Sequence, residues 1–168
     1  MSPKRTRLFI GATTVLLACA LMPLLAAWKE GGKLPMFTGC GLEGNMPTTT
    51  GRVVLLDFWA SWCGPCRHSF PELDKLNQIY RSRGFIICAV SVDEKADDMD
   101  VFLKDHPVSF PVVRDAQQKL VAAAGVESMP TSFLVDRHGV IRFSHVGFHG
   151  TETVEQLKQE IEKLLAER

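Results

Sequence analysis

The strongest constraint on this chain is an apolar, strand-like run that ends at two closely spaced cysteines and then turns helical. Val53-Val54-Leu55-Leu56-Asp57-Phe58-Trp59 is almost continuously apolar, as a strand buried on both faces of a sheet is. Ala60-Ser61-Trp62 follows, and then Cys63-Gly64-Pro65-Cys66. Beyond Cys66, the residues Phe70, Leu73, Leu76, Ile79 and Tyr80 recur at spacings of three and four, the period of a helix with one buried face. A Cys-x-x-Cys pair placed where a strand becomes a helix reads as a redox pair.

Cysteines three apart share one helical turn and can close a reversible disulfide. Cys63 should stand at the helix N-terminus, before unpaired backbone N–H groups and the positive end of the dipole. Both favour thiolate over thiol, and in such motifs the thiol pKa falls from about 8.5 to roughly 3.5–7.5. Pro65 costs little there, because its missing N–H belongs to the first turn, which has no partner for it. Cys63 is therefore expected to be the solvent-open nucleophile. Cys66, one turn deeper, is expected to be the shielded resolving thiol.

Asp57-Phe58-Trp59-Ala60-Ser61-Trp62-Cys63-Gly64-Pro65-Cys66 resembles the active-site stretch of the thioredoxin superfamily. With Arg67 and Pro71-Glu72-Leu73 added, the run is similar to the membrane-anchored, extracytoplasmic thiol–disulfide reductases of the TlpA/ResA type. The resemblance extends over roughly residues 34–165. It gives Asp57 the place of a buried acid thought to take, through water, the proton of the resolving cysteine. Burial raises a carboxyl's pKa and suits it to general-base work. Trp59 then reads as core packing, and Trp62 as a shield for the dithiol and a contact surface for a partner. Glu94 is similar in position to a glutamate credited in ResA-type proteins with tuning the dithiol; it also reads as an acid favouring the N-terminus of a following helix. Met129-Pro130 resembles the cis-proline segment lying against the dithiol, where Met129 would offer its backbone to a docked substrate strand. Many TlpA-like chains carry an acid where this one has Ser69.

The remaining cysteines and histidines point to no second centre. There are five cysteines, Cys19, Cys40, Cys63, Cys66 and Cys88, with no second Cys-x-x-Cys for a four-cysteine zinc site. Residue 67 is Arg, where a c-type haem attachment requires His. Cys88 lies within a second apolar run, Phe85 to Val92, and reads as a small buried hydrophobe with an inert thiol. Cys40 reads as an incidental thiol, since no partner is evident for the alternative, a structural disulfide. His145 and His149 are four apart, but not on a helix, so no metal site is read there. No cofactor is called for. The 19 basic and 19 acidic residues balance to a formal net charge of +0, and nothing in that balance suggests a surface for nucleic acid.

Lys4, Arg5 and Arg7 precede a stretch from Leu8 to Trp28 without a charged residue. That is long enough to span a bilayer core of about 30 Å, with the basic end inside. Residues 1–28 read as an uncleaved signal anchor, as a lipoprotein leader with Cys19 as the lipidated residue, or as a signal peptide cut near Ala26-Ala27. All three export the domain, to the outer face of the inner membrane or, if cleaved, to the soluble periplasm. Residues 29–33 read as a linker and 34–168 as the thioredoxin-like domain.

Within that domain, 34–50 reads as turns and short edge strands, in the place of an N-terminal hairpin. Gly84 ends the first helix. Residues 96–105 read as a helix, 110–113 as a short strand and 117–124 as a helix stopped by Gly125. Pro130 starts a strand, 136–139 is a hairpin turn and 140–146 its partner. Thr151 is placed to cap a last helix, whose apolar stripe is Val154, Leu157, Ile161, Leu164 and Leu165. The order resembles an α/β thioredoxin fold: a mixed central sheet with helices on both faces, an N-terminal hairpin and a central strand–helix insert.

The function implied is an extracytoplasmic thiol–disulfide oxidoreductase that reduces disulfides in client proteins. The resemblance suggests apocytochrome c or a copper-site protein as client, and a membrane thiol-transfer protein as electron donor. Two other readings use the same dithiol. One is a disulfide oxidase or isomerase; the other is a non-enzymatic copper(I)-handling module, since soft thiolates suit that ion.

Overall fold

The computed structural model describes residues 28–167 other than 36, 38 and 39. Strand β1 (Val53–Trp59) is buried along its whole length, because it lies in the middle of a five-stranded sheet of order β3-β2-β1-β4-β5. β2 (Phe85–Ser91) runs parallel to β1, and β3 (Val112–Arg114) parallel to β2. β4 (Thr131–Val135) runs antiparallel to β1, and β5 (Ile141–Val146) antiparallel to β4. The sheet is mixed with an antiparallel end, and the architecture is the expected α/β thioredoxin fold.

Side chains alternate across β1, and its two faces are covered differently. Trp59 packs on Phe70 of helix α1 (Gly64–Tyr80) and on Phe102 of α2 (Ala96–Asp105), with ring centroids 4.5 and 4.7 Å apart. Phe58 points the other way, edge-on to Trp28 and Phe133. The Trp28 N–H donates to the Ala124 carbonyl at the end of α3 (Lys119–Ala124), tying that helix to the Phe58 side. α4 (Thr151–Ala166) buries Val154, Leu157, Ile161 and Leu164 and lies against α1 and β1. After α1, a 3-10 turn at Arg81–Arg83 runs into Gly84 at φ 94°, a conformation that favours glycine.

Three expectations are corrected. Residues 34–50 form no hairpin among the described residues. They run as an arm whose ends make isolated antiparallel bridges to opposite sheet edges, Lys33 with Val140 and Glu43 with Arg114. Its apolar residues, Phe37 and Met46 among them, pack against the core, so the segment gains more by lying on the domain than by pairing with itself. Residues 29–33 are not a free linker. Gly31 donates to Ile141 O, and Ile141 donates to Gly32 O, both at 2.8 Å, which adds a short edge beside β5. Thr151 does not cap α4: Gly150 is the N-cap residue, with no side-chain cap bond, and the His149 N–H is taken by Thr153 Oγ1 at 2.9 Å.

Trp28, the last residue of the uncharged stretch, belongs to the core through Phe58 and Phe133. The rest of that stretch, with Cys19 and Ala26-Ala27, lies outside the described residues. No helix among the described residues is long and apolar enough to cross a membrane.

Candidate active site

The parallel strands β1 and β2 end side by side, and the Val92 N–H donates to Trp59 O at 2.9 Å. From Trp59 the chain makes one tight turn, closed by Cys63 N–H donating to Ala60 O at 3.1 Å, and enters α1. Cys63 is the N-cap residue (φ −82°, ψ 109°), and its Sγ accepts the Cys66 N–H at 3.2 Å. Sulfur here does what a serine or aspartate oxygen does at other helix starts: it takes a donor that the first turn leaves unpaired. Pro65 falls in that same turn. Cys63 and Cys66 are joined by a disulfide, with Cα atoms 5.3 Å apart.

Cys63 is 4% exposed and Cys66 0%. The order is the one expected, but Cys63 is much less open than a solvent-facing thiol. In the oxidised pair its sulfur is folded back over the first turn of α1, against Cys66. Trp62 beside it is 72% exposed and so forms no lid over the pair.

Asp57 shares the β1 face of Trp59, the face on which α1 packs. It is buried, and Ser132 of β4 donates to its Oδ1 at 2.6 Å. Its Oδ2 is buried without a hydrogen-bond partner among the described residues. Burial pushes its pKa from 3.8 up to about 7, against the opposing pull of the Ser132 hydroxyl. A carboxyl in that range exchanges its proton near neutrality.

Met129–Pro130 is a cis peptide bond at the entry to β4, where Thr131 pairs with Phe58. Met129, Trp62 and Glu94 line one groove of about 510 Å³. Glu94 is exposed, and its carbonyl accepts from Arg114 Nη1 at 2.8 Å. On the other flank of the dithiol, Gly64, Pro65 and His68 line a groove with Phe148 and Gly150. Phe148 sits in the loop between β5 and α4, where no sequence period marks it. Ser69 is buried, its hydroxyl turned back to Cys66 O at 3.0 Å.

Sequence reasoning gave a role to Glu94 and none to its neighbour. Asp93 is 2% exposed. Its carboxylate accepts the Ser61 N–H at 3.1 Å, the Ser61 hydroxyl at 2.7 Å and the Ser91 hydroxyl at 2.7 Å. The signal lies in the strand register: Trp59 pairs with Ser91, so two residues further on Ser61 and Asp93 come level.

The other thiols stand apart. Cys88 is buried, burial pushes its pKa up to about 12, and its Sγ lies 3.5 Å from Met46 Sδ. Cys40 is a free, half-buried thiol. His145 pairs with Glu160 at 2.7 Å, and among the described residues no group of three or more His, Cys, Asp or Glu is placed to hold a metal ion.

The Redoxin family model matches residues 29–161. The chain is 35% identical over 137 residues to the thiol–disulfide oxidoreductase ResA of Geobacillus thermodenitrificans, covering 80% of this chain and 77% of that one. It is 30% identical over 173 residues to the ResA of Bacillus cereus, covering 96% and 98%. A crystal structure from Chlorobium tepidum, assigned as the thiol:disulfide interchange protein DsbE, superposes with a TM-score of 0.77 at 41% identity, covering 83% of this chain and all of that one.

Proposed function

The chain belongs to the Redoxin family and is a thiol–disulfide oxidoreductase of the ResA type, and from that premise we propose that it works as a reductase of client-protein disulfides outside the cytoplasmic membrane. The observation that carries the reading is the Cys63–Cys66 disulfide at the tip of α1, with the Cys63 sulfur held on a backbone N–H.

In the reduced protein the Cys63 thiolate attacks one sulfur of a client disulfide. A Cys63–client mixed disulfide forms, and the departing client thiolate takes a proton. Asp57 then accepts the Cys66 proton. The Cys66 thiolate attacks the Cys63 sulfur, the mixed disulfide breaks, and the second client sulfur leaves as a thiolate that takes up a proton. Two electrons pass to the client, and the protein is left as the Cys63–Cys66 disulfide. A dithiol donor must reduce it again, and a membrane thiol-transfer protein fits that need. Trp62, Met129 and Glu94 border the groove beside the dithiol, so this groove is the proposed bed for the client strand, with Pro130 at its edge and Met129 offering its backbone. Glu94 is the proposed tuner of the dithiol.

The direction rests on Gly-Pro between the cysteines, as in thioredoxin, whose potential is about −270 mV. Export rests on the basic start and the uncharged stretch after it. The alignment covering 96% of this chain reaches into that stretch. Apocytochrome c and copper-site proteins are the proposed clients.

The test is insulin-disulfide reduction together with the equilibrium potential of the dithiol. Turnover with a potential near that of thioredoxin supports the reductase. A potential above about −180 mV would turn the assignment to oxidase or isomerase. A Cys66→Ser chain should retain clients as mixed disulfides for identification, whereas Cys63→Ser should retain none.

A further inference from the structure

We infer that Asp93 is a positioning residue for the nucleophile. Through Ser61 it fixes the turn that carries the Cys63 sulfur onto the Cys66 N–H. The inference rests on the proposed role of Cys63 and adds a residue that neither the motif nor the proposed mechanism includes.

The turn from Ala60 to Cys63 has Ser61 and Trp62 at its two central positions, closed by Cys63 N–H on Ala60 O. Trp62 is exposed and cannot hold the turn from its own side. Ser61 is held by both of its donors, N–H and Oγ–H, on one carboxylate. That carboxylate is held in turn. Ser91 donates to its Oδ2, and the Asp93 N–H returns a bond to Ser91 Oγ at 3.1 Å. Behind it, Arg114 Nη1 donates to the carbonyls of Asp93 at 3.2 Å and Glu94 at 2.8 Å, while its Nε and Nη2 reach Glu43. A buried acid with its donors paired in this way is stiff, because each bond lost would leave a polar group desolvated.

The chemical consequence follows from the N-cap. The N–H that the Cys63 sulfur accepts in the disulfide is the donor that would stabilise its thiolate after reduction. A turn freed from Asp93 lets the sulfur leave that N–H. The thiolate then loses a hydrogen bond and part of the helix-end field, and its pKa rises.

The experiment is the pH profile of iodoacetamide alkylation of reduced, full-length protein, read at Cys63 by mass spectrometry. Asp93→Asn and Asp93→Ala carry the same charge, but only Asn keeps an oxygen for Ser61. Ser61→Ala removes the hydroxyl bond, and Ser61→Thr restores it. Asp57, Arg67, His68, Glu94, Asp98, Asp105 and His106 at this end of the protein, and Arg114 with Glu43 behind Asp93, are left unsubstituted in every variant. At pH 6.5, Asp93→Ala should alkylate about tenfold more slowly than Asp93→Asn, and Ser61→Ala about threefold more slowly than wild type, with Ser61→Thr close to wild type. If Asp93→Ala does not fold, the Ser61 comparison decides. The inference is overturned if either pair superimposes, or if Asp93→Asn loses as much as Asp93→Ala. Because alkylation needs no client, such a failure is separate from failure of the reductase reading, which would appear as absent insulin turnover in the wild-type protein.

Discussion

Ser132 donates its hydroxyl to Asp57 Oδ1 at 2.6 Å and leaves the second oxygen of the same buried carboxyl without a partner among the described residues. One strand thus holds the acid in place while its free oxygen keeps a proton site open. Burial raises the pKa to about 7, so the folded, oxidised protein holds this proton more tightly than the unfolded chain. The stability this group contributes is full below the unfolded value of 3.8, falls as pH rises to about 7, and is constant beyond.

Asp57→Asn removes that penalty and the base together. At pH 8 the oxidised variant should be more stable than wild type by roughly 2–4 kcal/mol, with little difference near pH 4. Guanidinium unfolding at the two pH values checks this. Resolution of a mixed disulfide should slow by about 100-fold, measured by single-turnover quench. Equal stability gaps at both pH values, or unchanged resolution, would remove Asp57 from the mechanism.

Ser132→Ala acts on the same acid from the other side. The hydroxyl stabilises the carboxylate and lowers its pKa, so its loss moves the pKa above about 7. The pH midpoint of mixed-disulfide resolution should rise by about one unit, as loss of one hydrogen bond to a charged group implies. The rate at high pH should be unchanged. A midpoint that stays in place would mean that Asp57 is not the group that titrates.

The central strand, the dithiol and Asp57 were legible because each is a local signal. An unbroken apolar run fixes β1, a three-residue spacing fixes the disulfide, and a charged residue inside a buried strand asks for a reason. Asp93 was not legible, since its partner is set by the register of β1 against β2, which no local pattern encodes. Trp28 was read with the membrane stretch, because a core aromatic and the end of an apolar span look alike in sequence. The glycines and prolines of 34–50 point to turns and short edge strands, and the hairpin expected there comes from the resemblance alone. Those residues mark bends but do not say which sheet edge the segment reaches.

Cys88 offers a control on thiol reactivity. Its thiol is fully buried and pushed up to about 12, so it should take no maleimide at pH 7.5 in the oxidised, folded chain. Peptide mapping should find label at Cys88 only after the same oxidised protein is unfolded, and Cys88→Ala should leave insulin reduction within about twofold of wild type. Labelling of Cys88 in the folded protein, seen by peptide mapping, would contradict its burial.

Trp28 decides where the folded domain begins. Its ring lies 5.3 Å from Phe133 and 6.0 Å from Phe58, centroid to centroid, and its backbone N–H donates to the Ala124 carbonyl. If it belongs to the core, Trp28→Ala opens a gap on the Phe58 face of β1 and should cost about 2–4 kcal/mol, the lower part of the range for large aromatic truncations because the ring is only half-buried. Trp62→Ala, at a ring 72% exposed, should change stability by no more than about 0.5 kcal/mol. Guanidinium midpoints of the two full-length variants in non-ionic detergent make the comparison. Should both variants unfold with wild type, Trp28 is part of the leader and the domain begins after it. Should only Trp28→Ala fall, Trp28 belongs to the folded domain rather than to the uncharged stretch that precedes it.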